Sequence, residues 1–373
     1  MPARPDSQSP LLNEDLVHLV ELASTSTVPG SNGSLRRMAR RYRTDYPELH
    51  SAIVRQLRGQ NIRSAKTDLS IDQPLDEETK TSLLQFENPV ILPTVPIWPR
   101  DLTLALEQLV QEHRESSLLL QAGLAPTRTA LFVGEPGVGK TLSARWIAHE
   151  LNLPLAILDL ASVMSSFLGR TGTNVHRVFE FARRTRVVLL LDELDSIAKH
   201  RDDSSEIGEL KRLVTVLLQE IDAWPEGLLL IGATNHPQLL DSAIWRRFEA
   251  IVQFPLPDLT ARRIAIQRFF DDPQMNPELA EALAHLYSGA SLSSLENDIY
   301  RARRRALLAG EDPIEVLVRQ NRNRFSEIAP KERGPLAASL LRNSNMSQRT
   351  LHDASGVSRD TIRKHLLDRN PTK

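Results

Sequence analysis

An apolar run, TALFVG (129–134), flows directly into GEPGVGKT (134–141), and the residues that follow read as a helix over 140–151. No other stretch restricts the possible folds so tightly. A run that is apolar at nearly every position has no solvent face, so it must be a strand covered on both sides. The glycines allow a turn tight enough for successive backbone N–H groups to converge. The helix start beyond adds its dipole, and together these make a cradle for phosphate. Lys140 brings a positive charge to the cradle and Thr141 a hydroxyl suited to Mg²⁺. The competing reading is a chance glycine-rich turn. It fails on context, because G-x-x-x-x-G-K-[ST] stands between strand and helix in the required order.

The alternation continues along the chain. Strand-like PLAILDL (154–160), RVVLLLD (186–192), GLLLIGAT (227–234) and AIVQF (250–254) are separated by helical stretches at 174–184 and 206–222, and a helix over 102–122 precedes them all. Strands alternating with helices predict an α/β fold with a parallel sheet covered on both faces. Residues 258–309 read as helices only. A polar, Arg-rich stretch (318–334) then separates them from a short helical tail (335–368). At the other end, LLNEDLVHLVELA has helical apolar spacing with Asn13 as cap, and NPVILPTVPIWPR (88–100) holds four prolines and reads as an extended linker. The run 35–66 carries nine Arg/Lys against two Asp/Glu, which suits either a nucleic-acid patch or a solvated helix face.

Two further strand ends carry chemistry. RVVLLLDE finishes in Asp192–Glu193, which puts two carboxylates at the carboxyl edge of the sheet, beside the phosphate turn. Asp192 would hold Mg²⁺ and its waters, and Glu193 would polarise an attacking water. GATN (232–235) ends the next strand, and Asn235 can hydrogen-bond both the γ-phosphate and that water. In LDSAIWRRFEA (240–250), the adjacent Arg246 and Arg247 are a surface pair or a pair of cations aimed at a neighbouring subunit.

In this order these elements resemble the AAA+ ATPases of the classical AAA clade, which includes membrane-bound AAA proteases and severing enzymes. The resemblance covers roughly residues 100–310. It implies ATP and Mg²⁺ as ligands, with Gly134, Glu135, Pro136, Gly137, Val138, Gly139, Lys140, Thr141, Leu142 and Asp192 binding nucleotide. Thr141 and Asp192 would serve the metal through water. Glu193, Asn235, Arg246 and Arg247 would be catalytic, Arg246 as the arginine finger and Arg247 as its companion. The implied fold is a five-stranded parallel sheet followed by a small helical lid. GASLSSLENDI (289–299) is similar to the clade's stretch near the adenine, with Leu292 where Gly is usual and Ser293 where Ala is usual.

The same resemblance bears on SSFLG (165–169). In the clade, an aromatic–hydrophobic–Gly loop projects into the central pore of a hexamer. Phe167 would grip a translocating polypeptide, with Leu168 supporting it and Gly169 as hinge; the alternative is a buried plug. The zinc-protease string of the membrane-bound relatives does not follow: HELNL (149–153) ends in Leu153. Any proteolysis would therefore need a separately encoded partner.

SQRTLHDASGVSRDTIRKHL (347–366) has the outline of a helix-turn-helix, with Gly356 at the turn and Ile362 turned inward. Arg359, Thr361, Arg363 and Lys364 are suited to phosphates and base edges, although the same fold also docks proteins. His352 stands where a small residue is usual in such units. The organisation expected is a helical N-terminal recruitment region (1–86), a proline-rich linker (87–100), a large ATPase subdomain (101–256), a lid (257–315) and a helix-turn-helix-like unit (330–370).

Composition narrows the partners. A net charge of −1 provides no bulk attraction to nucleic acid or anionic membrane. There are no cysteines, which rules out disulfides and Cys-ligated zinc. No apolar run approaches the ~20 residues of a membrane span, and MPARPDSQSPLL lacks the apolar core of a signal peptide, so a cytoplasmic location is expected. Two functions remain open. One is a protein-remodelling ring, a hexamer threading a protein client. The other is a DNA-linked ATPase of transposition, replication or transcription, anchored through its tail.

Overall fold

A computed structural model describes residues 73–74, 82–166, 171–199 and 207–367. Phe167, Leu168 and Gly169, the basic run 35–66 and most of the N-terminal region lie outside the described residues. The first elements are β1 (Gln85–Glu87), α1 (Arg100–Arg114), α2 (Ser116–Gln121), β2 (Thr129–Gly134), α3 (Lys140–Glu150) and β3 (Leu155–Asp159). Next come α4 (Leu160–Ser166), α5 (Thr171–Thr185), β4 (Val188–Asp192), α6 (Ser196–Lys199), α7 (Ile207–Asp222) and β5 (Leu230–Thr234). The short α8 (Ser242–Trp245) and β6 (Ala250–Phe254) complete the α/β half.

The strand order is β1-β3-β4-β5-β2-β6, parallel from β3 to β6. Five parallel strands agree with the sequence. The sixth does not: Gln85–Glu87 pairs antiparallel with β3, across what read as the junction of helical region and linker. Three residues are too short for a periodicity to register, so only the pairing reveals this strand.

Alternation within each strand divides two cores. Leu131, Val133, Leu189 and Leu191 face α5 and α7 on one side, with Phe179, Leu213, Leu217 and Trp224. Ala130, Phe132, Val188 and Leu190 face α1 and α3 on the other, with Leu106 and Ile147. Leu102, Leu106, Leu109 and Val110 lie on one stripe of α1, which explains both its helical form and its burial.

The second half is helical: α9 (Leu259–Phe270), α10 (Pro277–Leu286), α11 (Leu292–Ala309), α12 (Pro313–Gln320), α13 (Arg322–Glu327), α14 (Pro330–Asn343), α15 (Gln348–Ser355) and α16 (Arg359–Leu367). Side-chain caps set most starts. Asp258, Asn276, Ser291, Asp312 and Ser347 each accept from a backbone N–H in the first turn that follows. The Arg-rich stretch 318–334, expected as a connection, is largely helical in α12, α13 and α14. Its apolar residues decide this, since Val318 and Phe325 are fully buried.

Lid and tail, which read as separate units, share one core. Leu283, Leu286, Leu295, Ile299, Leu317 and Phe325 form a single cluster with Leu340, Leu351 and Ile362. A close contact seats the last helix: a Cβ on Gly334 would come within 2.7 Å of the His365 ring, so α16 approaches α14 where a side chain is missing.

Candidate nucleotide site

The carboxyl ends of β2, β4 and β5 meet at one edge of the sheet, and the glycine-rich turn leads from β2 into α3 there. Gly139 has φ of 104°, a backbone conformation that L side chains rarely adopt. Gly137, also left-handed at φ of 78°, serves a second need. A Cβ on it would lie 2.8 Å from Ser291 Oγ and from Ser293 Cβ, so its bareness lets the lid press on the turn. The Ser293 N–H donates to the Gly137 carbonyl at 3.2 Å, which links α11 to the phosphate cradle.

Lys140 is only 7% exposed. Its Nζ donates to the carbonyls of Gly134 (2.7 Å) and Glu135 (2.9 Å) and to Asn235 Oδ1 (2.7 Å). Three donors thus meet three acceptors. Burial pulls its pKa below the usual lysine value, while the carboxylates of Asp192 and Asp195 oppose that fall. Thr141 Oγ1 donates to Asp192 Oδ2 at 2.9 Å, and the Glu193 N–H to Asp192 Oδ1 at 3.0 Å. Glu193 has φ of 56°, so the chain turns sharply as it leaves β4.

A hydroxyl beside a carboxylate is a hard-oxygen pair of the type Mg²⁺ accepts, with phosphate oxygens and water completing its shell. Among the described residues there is no group of three or more His, Cys, Asp or Glu fit to hold a metal.

A cavity of about 370 Å³ opens over these groups, lined by Pro136 to Leu142, Asp192, Glu193 and Asn235. That volume suits a small-molecule ligand. Its other wall comes from the linker and the helical half, of which the sequence connected only the stretch 289–299 to the site. Thr94 to Trp98 of the linker line it, as do Arg268, Phe269, Leu292 and Glu296 from the helical half. Trp98 packs edge-on against Trp146 of α3 at 5.0 Å, and Arg268 donates to the Val95 carbonyl. The linker is thus a strap across the cleft. Burial holds the Glu296 carboxyl above its ordinary range. A larger cleft of about 1150 Å³ lies between α10 and α14, but shares no residue with the phosphate turn.

Arg246 and Arg247 part company in the structure. Arg246 is exposed at the end of α8, with no side-chain partner among the described residues. Arg247 turns back, its Nε on Asp222 Oδ1 at 3.1 Å and a terminal nitrogen on the Ala243 carbonyl at 3.3 Å. Neither lines the cavity of its own chain. In the tail, Arg359, Thr361, Arg363 and Lys364 are all exposed on α16. Two of them are already engaged. Thr361 shares a 2.8 Å hydrogen bond with the Ser358 hydroxyl, and Arg363 Nε donates to Gln348 at 3.1 Å. His352 bonds the Val357 carbonyl at 2.8 Å, so the residue out of place for close helix packing staples the turn instead.

The sequence reading missed Asp195, Arg268 and the strap. The string DELD contained a signal for the first, a third carboxylate one short turn beyond Asp192. Proline density marked the strap without saying what it covers.

Residues 130–256 match the family described as "ATPase family associated with various cellular activities (AAA)". The chain is 47% identical over 150 residues to the uncharacterized AAA family ATPase y4kL of Sinorhizobium fredii, covering 40% of this chain and 46% of that protein. It is 33% identical over 190 residues to a putative 26S proteasome regulatory subunit homolog of Methanothermobacter marburgensis, covering 50% and 51%. It is also 33% identical over 230 residues to the peroxisomal ATPase PEX6 of Penicillium chrysogenum, covering 57% of this chain and 16% of that one. The chain thus spans about half the length, or less, of these relatives. Among solved structures, the FIGL-1 AAA domain superposes with a TM-score of 0.55 at 20% identity, covering 81% of this chain and 97% of that domain, a likeness of fold. Among the described residues no helix is long and apolar enough to cross a membrane.

Proposed function

Residues 130–256 form an ATPase domain of the AAA family, and from that premise we propose that the chain is an ATP-hydrolysing remodeller of polypeptides that works as a ring of identical subunits, with six the expected number. One observation carries the ATPase reading: Lys140, Thr141–Asp192, Glu193 and Asn235 converge on one cavity beside a glycine-rich turn.

Lys140 and the backbone N–H groups of 137–141 would bind the phosphates. Thr141 and Asp192 would hold Mg²⁺, which when bound neutralises charge developing on the phosphoryl oxygens. Glu193 would polarise the attacking water, and Asn235, already fixed to Lys140, would orient water and γ-phosphate together. Arg246 would complete the site of the neighbouring subunit, since it is exposed and lies outside its own cleft. Arg247 would hold α8 in place through Asp222 rather than share that role.

The proteasome-regulatory homologue supports a polypeptide as client. Phe167 would grip that client from the segment between α4 and α5, and a separately encoded protease is compatible with this arrangement. Two measurements test the proposal. Glu193→Gln should retain ATP binding and lose turnover; turnover at the wild-type rate would overturn the site assignment. Phe167→Ala should lower the amount of tagged client unfolded per ATP consumed, with Phe167→Tyr restoring most of it; equal coupling in both would remove Phe167 from the reading.

A second reading rests on the tail. Arg359 and Lys364 stand exposed on α16 after a capped turn, the arrangement of a recognition helix. It would anchor the ring at duplex DNA. ATPase stimulation by unfolded protein, compared with duplex DNA, separates the two.

A further inference from the structure

Asp195 is 1% exposed, a carboxylate withdrawn from water behind the cleft. Such a group is costly unless hydrogen-bonded, and here a single oxygen takes two donors. Oδ1 accepts from Thr234 Oγ1 at 3.1 Å and from the Asn235 N–H at 3.0 Å. Both donors belong to the end of β5. Beside them, the Leu194 N–H donates to the Ala233 carbonyl at 2.9 Å, so two consecutive residues beyond β4 tie its exit to that of β5. Asn235 in turn accepts from Lys140. A connected path therefore runs from Asp195 through the Asn235 backbone to its amide and on to the lysine of the phosphate turn.

We propose that Asp195 is a positioning residue of the nucleotide site, fixing at the strand end the Asn235 whose amide oxygen accepts from Lys140. The inference rests on the ATPase reading above. Asp195 does not line the cavity itself. It acts through Asn235, by geometry.

Geometry separates from charge experimentally, because both hydrogen bonds to the end of β5 fall on one oxygen. Asp195→Asn can present a carbonyl oxygen to both donors while losing the charge. Asp195→Ala loses both. In the full-length protein, Asp195→Ala should lower kcat by about 10- to 100-fold, the cost of a reacting group misplaced by roughly 1 Å, with KM for ATP changed less than about twofold. Asp195→Asn should restore most of kcat at neutral pH.

Melting temperature and binding of a fluorescent ATP analogue accompany each variant, so that misfolding is recognised. Wild-type kcat in a folded Asp195→Ala protein would overturn the geometric role. Equal loss of kcat in both variants, in proportion to lost melting temperature, would reduce Asp195 to a fold residue. Failure of the ATPase reading looks different: the wild-type protein would then turn over no ATP, whatever Asp195 does.

Discussion

The phosphate turn and the last helix both present cations in a helix-flanked setting, yet they hold them in opposite ways. Lys140 is nearly buried, and each of its protons already has an acceptor. Arg359 and Lys364 on α16 project into solvent. A buried, fully oriented charge is ready for one ligand geometry and costs little to reorganise. An exposed one pays side-chain entropy to engage and is screened by salt. The difference fits the roles proposed for them, chemistry in the cleft and contact in the tail.

Changes in the cleft should therefore have the largest effects. Lys140→Ala leaves the phosphate charge unpaired and should abolish nucleotide binding, by at least about 100-fold in Kd in a titration with fluorescent ATP. Glu193→Gln should bind normally and turn over at least about 100-fold more slowly. If Lys140→Ala binds within a fewfold of wild type, the buried cation is structural and the comparison collapses.

The helical half provides the next test, because tail and lid share one core. Phe325→Ala, at a fully buried site, should cost about 3–5 kcal/mol in chemical denaturation. Lid and tail should then unfold in one transition. A tail that stays folded while the lid melts would show that the two have separate cores after all.

The two adjacent arginines sharpen the comparison within one dipeptide. Arg246→Ala should lower ATP turnover by about 100-fold, at the modest end for a finger. Arg247→Ala, which loses its half-exposed contact with Asp222 and its bond to the Ala243 carbonyl, should cost less than about 10-fold. Mixing Arg246→Ala subunits with Lys140→Ala subunits should recover turnover, since an intact finger can then face an intact turn. No recovery in rings shown to be mixed would place Arg246 outside the site.

The smallest effect belongs to the tail. If α16 meets duplex DNA, Arg359→Ala and Lys364→Ala should each reduce the log–log salt slope of binding by about 1 in the full-length protein. Unchanged slopes would leave α16 to a protein contact.

Local patterns determined much of this molecule. TALFVG running into GEPGVGKT dictated a buried strand, a phosphate cradle and a helix start, because backbone sterics and solvent exclusion act within a dozen residues. RVVLLLDE and GATN marked strand ends for the same reason, and each fell within a residue or two of its place. Tertiary structure alone decided what crosses the chain. The three-residue strand at Gln85–Glu87 exists only through its pairing with β3. The strap over the cleft owes its place to Trp146 and Arg268. Arg246 and Arg247 look alike in sequence and differ because Asp222 stands beside only one of them. Asp195 gains its role from two donors about forty residues away. Such contacts depend on which distant elements pack together, and the free energy of packing belongs to the whole core rather than to any window of sequence.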